Sequence, residues 1–144
     1  MRLEDFAYHF TITARFADGD IMGHVNNAKY VTYLEEARIN YAREVLGWRG
    51  GSNALGMILA RTEIDYRLPL HIGDTVNVYV RCSRIGGKSF DLSYAIVMNE
   101  SNQPVATAVT TMVAFDYGQG ISVPVVDDWR SRIHTFEKTP PDGV

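Results

Sequence analysis

The sequence contains one cysteine, Cys82, among its 144 residues. A lone cysteine excludes an internal disulfide and any cysteine-based metal cluster within one chain, and it is typical of the reducing cytoplasm. An excess of positive charge is also absent, because 14 Lys and Arg residues stand against 17 Asp and Glu residues. Without a broad cationic surface, we do not expect nucleic acid as a partner.

Long apolar runs are missing as well. No stretch approaches the roughly 20 apolar residues of a membrane-spanning helix, and residues 1–10 are acidic where a signal peptide is basic. We therefore expect a cytoplasmic protein with no membrane partner. Since 46% of the residues are hydrophobic and no internal repeat is visible, residues 1–144 are predicted to form a single domain.

Several catalytic signatures are absent too. The sequence has no G-x-S-x-G nucleophile motif, no P-loop and no dinucleotide-binding glycine pattern. We predict no metal site and no redox cofactor, because the histidines are widely separated in sequence: His9, His24, His71 and His134.

One segment that is present is strongly periodic. From residue 28 to residue 46, apolar side chains recur every three or four positions, which is the spacing of one helix face. Gly47 follows at the position of a C-terminal cap. The pattern predicts one long helix with an apolar stripe of Tyr30, Leu34, Ala37, Tyr41 and Val45.

Five other segments alternate or are rich in β-branched and aromatic residues, which predicts strands at 6–17, 57–68, 74–85, 88–100 and 105–116. The third and fourth flank Gly86 and Gly87 and are typical of a hairpin. Their alternating apolar positions are Val76, Val78, Val80, Phe90, Leu92, Tyr94 and Ile96. The last is apolar on both faces, so we expect it to be central or covered on both sides. In the second, one face is predicted to hold Ile58, Ala60, Thr62, Ile64, Tyr66 and Leu68.

Residues 118–144 are predicted to be a C-terminal extension, with a short helix at 125–137 and a frayed polar end. Only the long helix offers an apolar stripe that matches the sheet. We therefore predict an α+β fold in which an antiparallel sheet wraps around that helix. The opposite face of the sheet also needs cover, which predicts an oligomer.

Polar side chains come directly before the long helix, in DGDIMGHVNNAKY at residues 18–30. The first N–H groups of a helix have no partner inside it, and the helix dipole makes this end positive. Asn26 or Asn27 is a suitable N-cap. The amides of Asn27 and its neighbours are therefore candidates to bind a carbonyl oxygen and stabilise an oxyanion.

Asp20 is better placed than Asp18 for chemistry at this helix end. It lies seven residues before Asn27, across a loop that contains Gly23, so it can fold back toward the amides. A carboxylate there can attack a carbonyl or take a proton from water. His24 would orient the water, bind the leaving group or brace the loop. Together these residues are a candidate acyl-transfer site.

A structural interpretation of the same residues stays open, because Asp and Asn are common in turns and at helix starts. A lone His is also more often structural than catalytic. Glu35 is another candidate acid on the helix, although pairing with Arg38 or Lys29 is the simpler interpretation. Cys82 has no His near it in sequence and is expected to be a packing residue.

Residues 15–38, RFADGDIMGHVNNAKYVTYLEEAR, resemble the signature of hotdog-fold acyl-CoA thioesterases of the 4-hydroxybenzoyl-CoA thioesterase type, especially the bacterial long-chain acyl-CoA thioesterases. YRLPLHIGDTVNV and SRIGGKSFDLSY are similar to later strands of that family, so the resemblance covers residues 8–116. It implies a hotdog fold, in which a curved antiparallel sheet surrounds one long central helix. It also implies a homodimer or homotetramer with active sites at the dimer interface.

The resemblance also implies roles for individual residues. Asp20 stands at the position of the catalytic acid, and the Asn27 amide at the position of the group that polarises the thioester carbonyl. His24 matches the histidine of a similar motif in plant acyl-ACP thioesterases, whereas Met22 replaces the asparagine of that motif.

The implied substrate is an acyl-CoA, whose CoA moiety is part of the substrate, so no separate cofactor is expected. The candidates for binding the CoA phosphates are Arg84, Lys88 and Ser89 at the predicted hairpin tip. Arg61 and Arg67 are weaker candidates, and hairpin tips are also often basic only for solubility.

We therefore predict an acyl-CoA thioesterase that releases a free acid and CoA, with Asp20 as nucleophile or general base. The alternatives are an acyl-ACP thioesterase and a non-catalytic acyl-CoA-binding protein. Whether the acyl group is aromatic or aliphatic stays open, because the abundant Tyr and Phe residues suit either pocket and are common in cores.

Overall fold

A computed structural model describes residues 2–50 and 55–143 of the chain. Its long helix, α1 (Asn27–Leu46), agrees with the predicted helix to within one residue. The helix begins there because the Asn26 side chain accepts a hydrogen bond from the Ala28 N–H at 3.0 Å. It ends where Gly47 adopts a left-handed φ of 68°, which residues other than glycine rarely take.

The strands are β1 (Tyr8–Thr13), β2 (Leu55–Tyr66), β3 (Thr75–Ile85), β4 (Ser89–Met98), β5 (Pro104–Asp116), β6 (Ile121–Ser122) and β7 (Asp142–Gly143). The first five form an antiparallel sheet in the order β1-β3-β4-β5-β2. β6 pairs with β5, and β7 runs parallel to β3. The predicted hairpin is formed by β3 and β4, and β5 lies inside the sheet, as its two apolar faces predicted.

Several predicted strand boundaries were wrong. The first strand ends at Thr13 rather than at residue 17, because the Asp18 carboxylate accepts the Arg15 N–H and turns the chain into a 3-10 segment. β1 begins at Tyr8 rather than at residue 6, β4 ends at Met98 rather than at residue 100, and β2 spans Leu55–Tyr66 rather than 57–68. The glycine-rich segment at 47–56, which the sequence predicts to be a loop, therefore ends two residues early, and its residues 51–54 lie outside the described residues.

The predicted faces of β2 hold only beyond a bulge. The register shifts between Leu59 and Arg61, which inserts one extra residue opposite β5. One extra residue exchanges the two faces of a strand. Ile58 pairs with Val113 and Ile64 pairs with Ala108, and these two residues lie on opposite faces of β5, so the prediction that Ile58 and Ile64 share one face was wrong. Beyond the shift, Ile64 packs against the core.

The core lies between α1 and the sheet. The predicted helix stripe is buried, with no residue in it more than 4% exposed. The side chains of β3 and β4 that face it are also those that the alternation predicted: Val76, Val78, Val80, Phe90, Leu92, Tyr94 and Ile96. The predicted α+β architecture, a curved antiparallel sheet around one long helix, is confirmed.

The C-terminal extension packs against this core. Its helix, α2 (Asp127–Phe136), lies within the predicted range and buries Trp129 and Ile133. The end of the chain is not frayed as predicted, because β7 pairs with β3. Within the described residues, neither helix has an apolar stretch long enough to cross a bilayer.

Glu137, directly after α2, fastens the extension to the core. Its Oε2 accepts hydrogen bonds from the Tyr41 hydroxyl at 2.5 Å and from the Cys82 N–H at 2.7 Å. Its Oε1 is buried and has no partner among the described residues. Burial raises the pKa of this carboxyl above its usual range, because a buried charge loses its hydration.

The Glu137→Gln variant is expected to change how stability depends on pH. Because the pKa is raised in the folded state, the unfolded chain ionises first as the pH rises. The wild-type free energy of unfolding therefore falls above about pH 4.3, until the folded carboxyl also ionises. Glutamine keeps an oxygen for both hydrogen bonds and carries no charge, so this fall will be missing.

Urea unfolding between about pH 4 and about pH 7 measures this difference. The exposed Glu100→Gln change, in a turn, serves as the matched control and should leave the wild-type profile unchanged. An equal fall in the wild type and in Glu137→Gln would contradict the assignment.

Candidate active site

The loop before α1 is held against a distant segment of the chain. His24 pairs with His71 in an isolated antiparallel bridge, and the Val25 N–H donates to the Leu70 carbonyl at 2.8 Å. The Asp20 N–H donates to the His24 carbonyl at 2.7 Å, which closes the loop on itself. These contacts fix Asp20 just ahead of the helix.

The Asp20 carboxylate is held by one of its two oxygens. Oδ1 accepts hydrogen bonds from the Met22 N–H at 2.8 Å and from the His24 N–H at 3.1 Å. Oδ2 has no partner among the described residues, and the side chain is exposed. The carboxylate is therefore oriented but still has an oxygen available to a ligand.

The amides at the start of α1 differ in whether they have a partner. The Asn26 N–H donates to the Asp18 carbonyl at 2.9 Å, and the Lys29 N–H donates to the Asn26 carbonyl at 2.8 Å. The Ala28 N–H donates to the side-chain oxygen of Asn26, the N-cap residue. No acceptor in the described part of the chain binds the Asn27 N–H. This donor is therefore the one left for a ligand, at the positive end of the helix.

Asp20 and Asn27 line the same cavity, which we call the helix-start cavity. Its volume is about 540 Å³. It contains the three residues predicted to be catalytic, and its lining consists of Asp20, His24, Val25, Asn26, Asn27, Tyr30, Tyr66, Arg67, Leu68 and Pro69. A carboxylate and a free N–H donor in one cavity are the groups that acyl transfer requires.

Part of the lining comes from β2 and the segment after it. The Tyr66 hydroxyl donates to the Asn27 carbonyl at 3.2 Å, and the Tyr30 hydroxyl accepts the Leu70 N–H at 3.0 Å. Arg67, which the sequence suggested only as a weak CoA contact, also lines the cavity. The contribution of the tyrosines was missed, since nothing local in the sequence distinguishes them from core residues.

The sequence of residues 14–137 matches the family model of the thioesterase-like superfamily. The match includes the loop, the long helix and the sheet strands that line the cavity. The chain belongs to this superfamily.

Individual relatives agree with this assignment. The chain is 28% identical over 121 residues to the long-chain acyl-CoA thioesterase FadM of Escherichia coli, covering 83% of this chain and 91% of the relative. It is 28% identical over 107 residues to a 1,4-dihydroxy-2-naphthoyl-CoA hydrolase of Synechococcus elongatus, covering 72% and 77% of the two chains.

Solved structures agree as well. A thioesterase from Thermus thermophilus, crystallised with coenzyme A and Zn, superposes with a TM-score of 0.82 at 31% identity, over 95% of this chain and 99% of that one. The hotdog fold of the acyl-CoA thioesterases, which the sequence resemblance implied, is confirmed. The protein is a thioester hydrolase.

Asp18, the other carboxylate of the loop in this thioesterase, points into the protein. Its Oδ2 accepts the Tyr33 hydroxyl at 2.6 Å and the Arg15 N–H at 3.1 Å. These hydrogen bonds, that of Tyr33 first, lower the pKa of Asp18. Asp18 is buried and does not line the helix-start cavity. Its hydrogen bonds hold the loop from the protein interior.

A second cavity of the thioesterase, the α1–β2 cavity, has a volume of about 320 Å³. Glu35, the alternative acid, lines this cavity rather than the helix-start cavity, and it lies 3.9 Å from the buried Arg38. The remaining lining is mostly apolar: Ile39, Ala42, Trp48, Met57, Ile58, Leu59, Met112 and Tyr117. Such a surface suits an apolar acyl group.

The candidate CoA-binding residues lie at the tip between β3 and β4. The Arg84 guanidinium is bound to the Asp91 carboxylate at 2.9 and 3.2 Å and to the Ser89 hydroxyl at 3.0 Å. Lys88 is exposed and lines neither cavity. Of the three, Lys88 is the side chain most available to a phosphate.

Within one chain, that tip is far from the helix-start cavity. Ser89 of β4 and Ile58 of β2 both pair with Val113 of β5, so the tip lies beside the Ile58 end of β2. The cavity is lined by Tyr66, at the other end of β2. Eight residues of strand span about 27 Å. A CoA molecule bound at both places therefore needs the tip of another subunit, or a route along the sheet.

Other candidate groups are inert. Cys82 is buried, as predicted, and desolvation raises the pKa of its thiol to about 12, which keeps it from acting as a nucleophile. Among the described residues, no group of three or more His, Cys, Asp or Glu side chains is arranged to hold a metal ion.

Proposed function

We propose that the protein hydrolyses acyl-CoA thioesters to a carboxylic acid and CoA in the helix-start cavity. One observation carries the proposal: the same cavity is lined by Asp20, whose carboxylate has an oxygen without a partner in the described residues, and by Asn27, whose N–H has no acceptor there. The CoA thioesterase relatives named above support the choice of substrate class.

In this proposal the thioester oxygen accepts a hydrogen bond from the Asn27 N–H. As the carbonyl carbon is attacked, negative charge grows on that oxygen, and the amide and the helix dipole stabilise it. Asp20 attacks the carbon itself, expelling the CoA thiolate and leaving a mixed anhydride that water then hydrolyses. Alternatively, Asp20 takes a proton from a water molecule that attacks directly. His24 lines the cavity and assists by binding the leaving sulfur or the water.

We further propose that the working unit is a homodimer formed through β2, with a homotetramer as its doubled form. β2 is an edge strand, and its side chains Ile58, Leu59 and Tyr66 are more than a third exposed. An exposed edge of this kind pairs readily with a second copy, and a two-fold axis makes the two strands antiparallel.

Such a dimer would complete the site. Antiparallel pairing places the Tyr66 end of one β2 beside the Ile58 end of the other. The helix-start cavity of one subunit then faces the hairpin tip of its partner, whose Lys88 would bind the CoA phosphates. The α1–β2 cavity of the partner approaches the same place and would take the acyl group.

A panel of thioesters with released thiol as the readout tests the function. It should contain aliphatic acyl-CoAs of graded length, aromatic acyl-CoAs, and the same acyl groups on acyl carrier protein. Turnover of one or more acyl-CoAs is the expected result. Binding without turnover would favour a non-catalytic acyl-CoA-binding protein, and faster release from the carrier protein would identify an acyl-ACP thioesterase.

Mixed dimers test the shared site. In a dimer that combines one Asp20→Asn chain with one Lys88→Glu chain, one site carries both changes and the other carries neither. If Asp20 and Lys88 of different subunits serve one site, this dimer is expected to recover about half of the wild-type kcat with a wild-type KM, although both parent homodimers are impaired.

The two chains carry different affinity tags, so that only the mixed dimer is recovered and assayed. If both residues of a site came from one chain, each site would carry one defect and the mixed dimer would stay impaired. A monomer at assay concentrations would also contradict the shared site. The matched control combines Asp20→Asn with a wild-type chain and should retain half of the kcat.

A further inference from the structure

His24 and His71 face each other at the edge of the helix-start cavity. Their backbones pair in an isolated antiparallel bridge, and their rings meet edge to face with centroids 4.8 Å apart. Residues that pair directly across antiparallel strands have neighbouring Cβ atoms. The backbone therefore brings the two rings together, although the residues are 47 positions apart in sequence.

Of the two histidines, only His24 is part of the cavity lining. The His24 backbone is fixed by its hydrogen bonds to Asp20. Among the described residues, however, its imidazole forms no hydrogen bond, and the ring of His71 is its aromatic neighbour. The ring that the imidazole contacts therefore belongs to a residue outside the cavity lining.

His71 is itself held from the outer side. Its backbone N–H donates to the Asp74 Oδ2 at 2.9 Å, and its ring Nδ1 lies 3.7 Å from the same oxygen. The Asp74 N–H donates back to the His71 carbonyl at 3.1 Å. The result is a series of contacts from Asp74 through His71 to the imidazole of His24.

We propose that His71 is a positioning residue, which holds the His24 imidazole in the orientation that reaches the reacting thioester. This inference rests on the proposed function, in which His24 touches the substrate. His71 does not line the cavity and acts only through His24. Edge-to-face ring pairs shift the balance between two orientations about two- to tenfold.

The test is a double-mutant cycle with steady-state kinetics on the best thioester of the panel. His71→Ala is expected to lower kcat about two- to tenfold with KM unchanged, and His71→Phe, which keeps a ring, to restore most of the loss. In a His24→Ala background, His71→Ala is expected to cause no further loss. His9→Ala is the control, because it removes an exposed ring that packs on Tyr79 at 5.0 Å, away from the cavity.

A merely structural role for His71 would give the same fold loss in both backgrounds, and that result would overturn the inference. Wild-type kcat in either His71→Ala or His24→Ala would overturn it too. If Asp20→Asn abolishes hydrolysis while His71→Ala does not change it, the proposed function stands and the inference fails. If the wild type hydrolyses no thioester, both fail.

Discussion

Asp20→Asn is expected to lower kcat for thioester hydrolysis by about 10²- to 10⁴-fold while the protein keeps its stability. The asparagine oxygen can still accept the Met22 and His24 N–H groups that hold Oδ1 of the carboxylate. The loop therefore keeps its shape. The change removes the negative charge on the second oxygen, which is needed whether Asp20 attacks the thioester or takes a proton from water.

Three measurements check this prediction: kcat on the best thioester, the melting temperature, and the Kd of a non-hydrolysable thioether analogue. The Kd should stay near the wild-type value, since the Asn27 N–H and the rest of the cavity are unchanged. Asp128→Asn is the control, because Asp128 is exposed and contacts Arg132 on α2. An Asp20→Asn enzyme as fast as the wild type would remove Asp20 from the mechanism.

Asp18→Ala is expected to lower the stability of the protein, by about 3 kcal/mol in the free energy of unfolding. The change removes a buried carboxylate and leaves the Tyr33 hydroxyl and the Arg15 N–H without their acceptor. A hydrogen bond to a charged group contributes about 1.5 to 3 kcal/mol, and an orphaned buried donor adds to the loss. Urea unfolding at neutral pH measures the difference.

The effect of Asp18→Ala should shrink in acid. Because the pKa of Asp18 is lowered in the folded state, its stabilisation is present above the unfolded pKa of about 3.9 and is lost as the pH falls through the folded pKa. A cycle with Tyr33→Phe isolates the pair, and the two changes should cost less together than the sum of their separate effects. Strict additivity at neutral pH would show that the pair contributes nothing.

The candidate site was largely predictable because its central residues are close in sequence. Asp20, His24 and Asn27 lie within eight positions, and a helix start has free N–H groups wherever it occurs. The family resemblance assigned roles to the same residues, and those roles stay predictions until the variants are assayed. Tyr66, Arg67 and His71 come from elsewhere in the chain, and no local pattern places them beside the loop. Of the three, the sequence suggested only Arg67, as a weak CoA contact.

Wrong sequence-based predictions also had tertiary causes. The bulge in β2 exchanged the faces of its first half, because a strand's inward face depends on its register with β5. The end of the chain was predicted to fray because it is polar, yet β7 pairs with the end of β3 that β1 does not reach. The binding of CoA by Arg84, Lys88 and Ser89 stays a prediction.

The sequence by itself determined α1, its caps and the alternating faces of β3 and β4, because helix caps and side-chain periodicity depend on residues only a few positions apart. The tertiary structure decided which carboxylate is free. Asp18 and Asp20 are the same residue type two positions apart, but the Tyr33 hydroxyl reaches only Asp18. The tertiary structure likewise placed Glu137 against Tyr41, 96 positions away, and His71 against His24. The reason is that a side chain's burial and its partners depend on which residues folding brings next to it from distant parts of the chain.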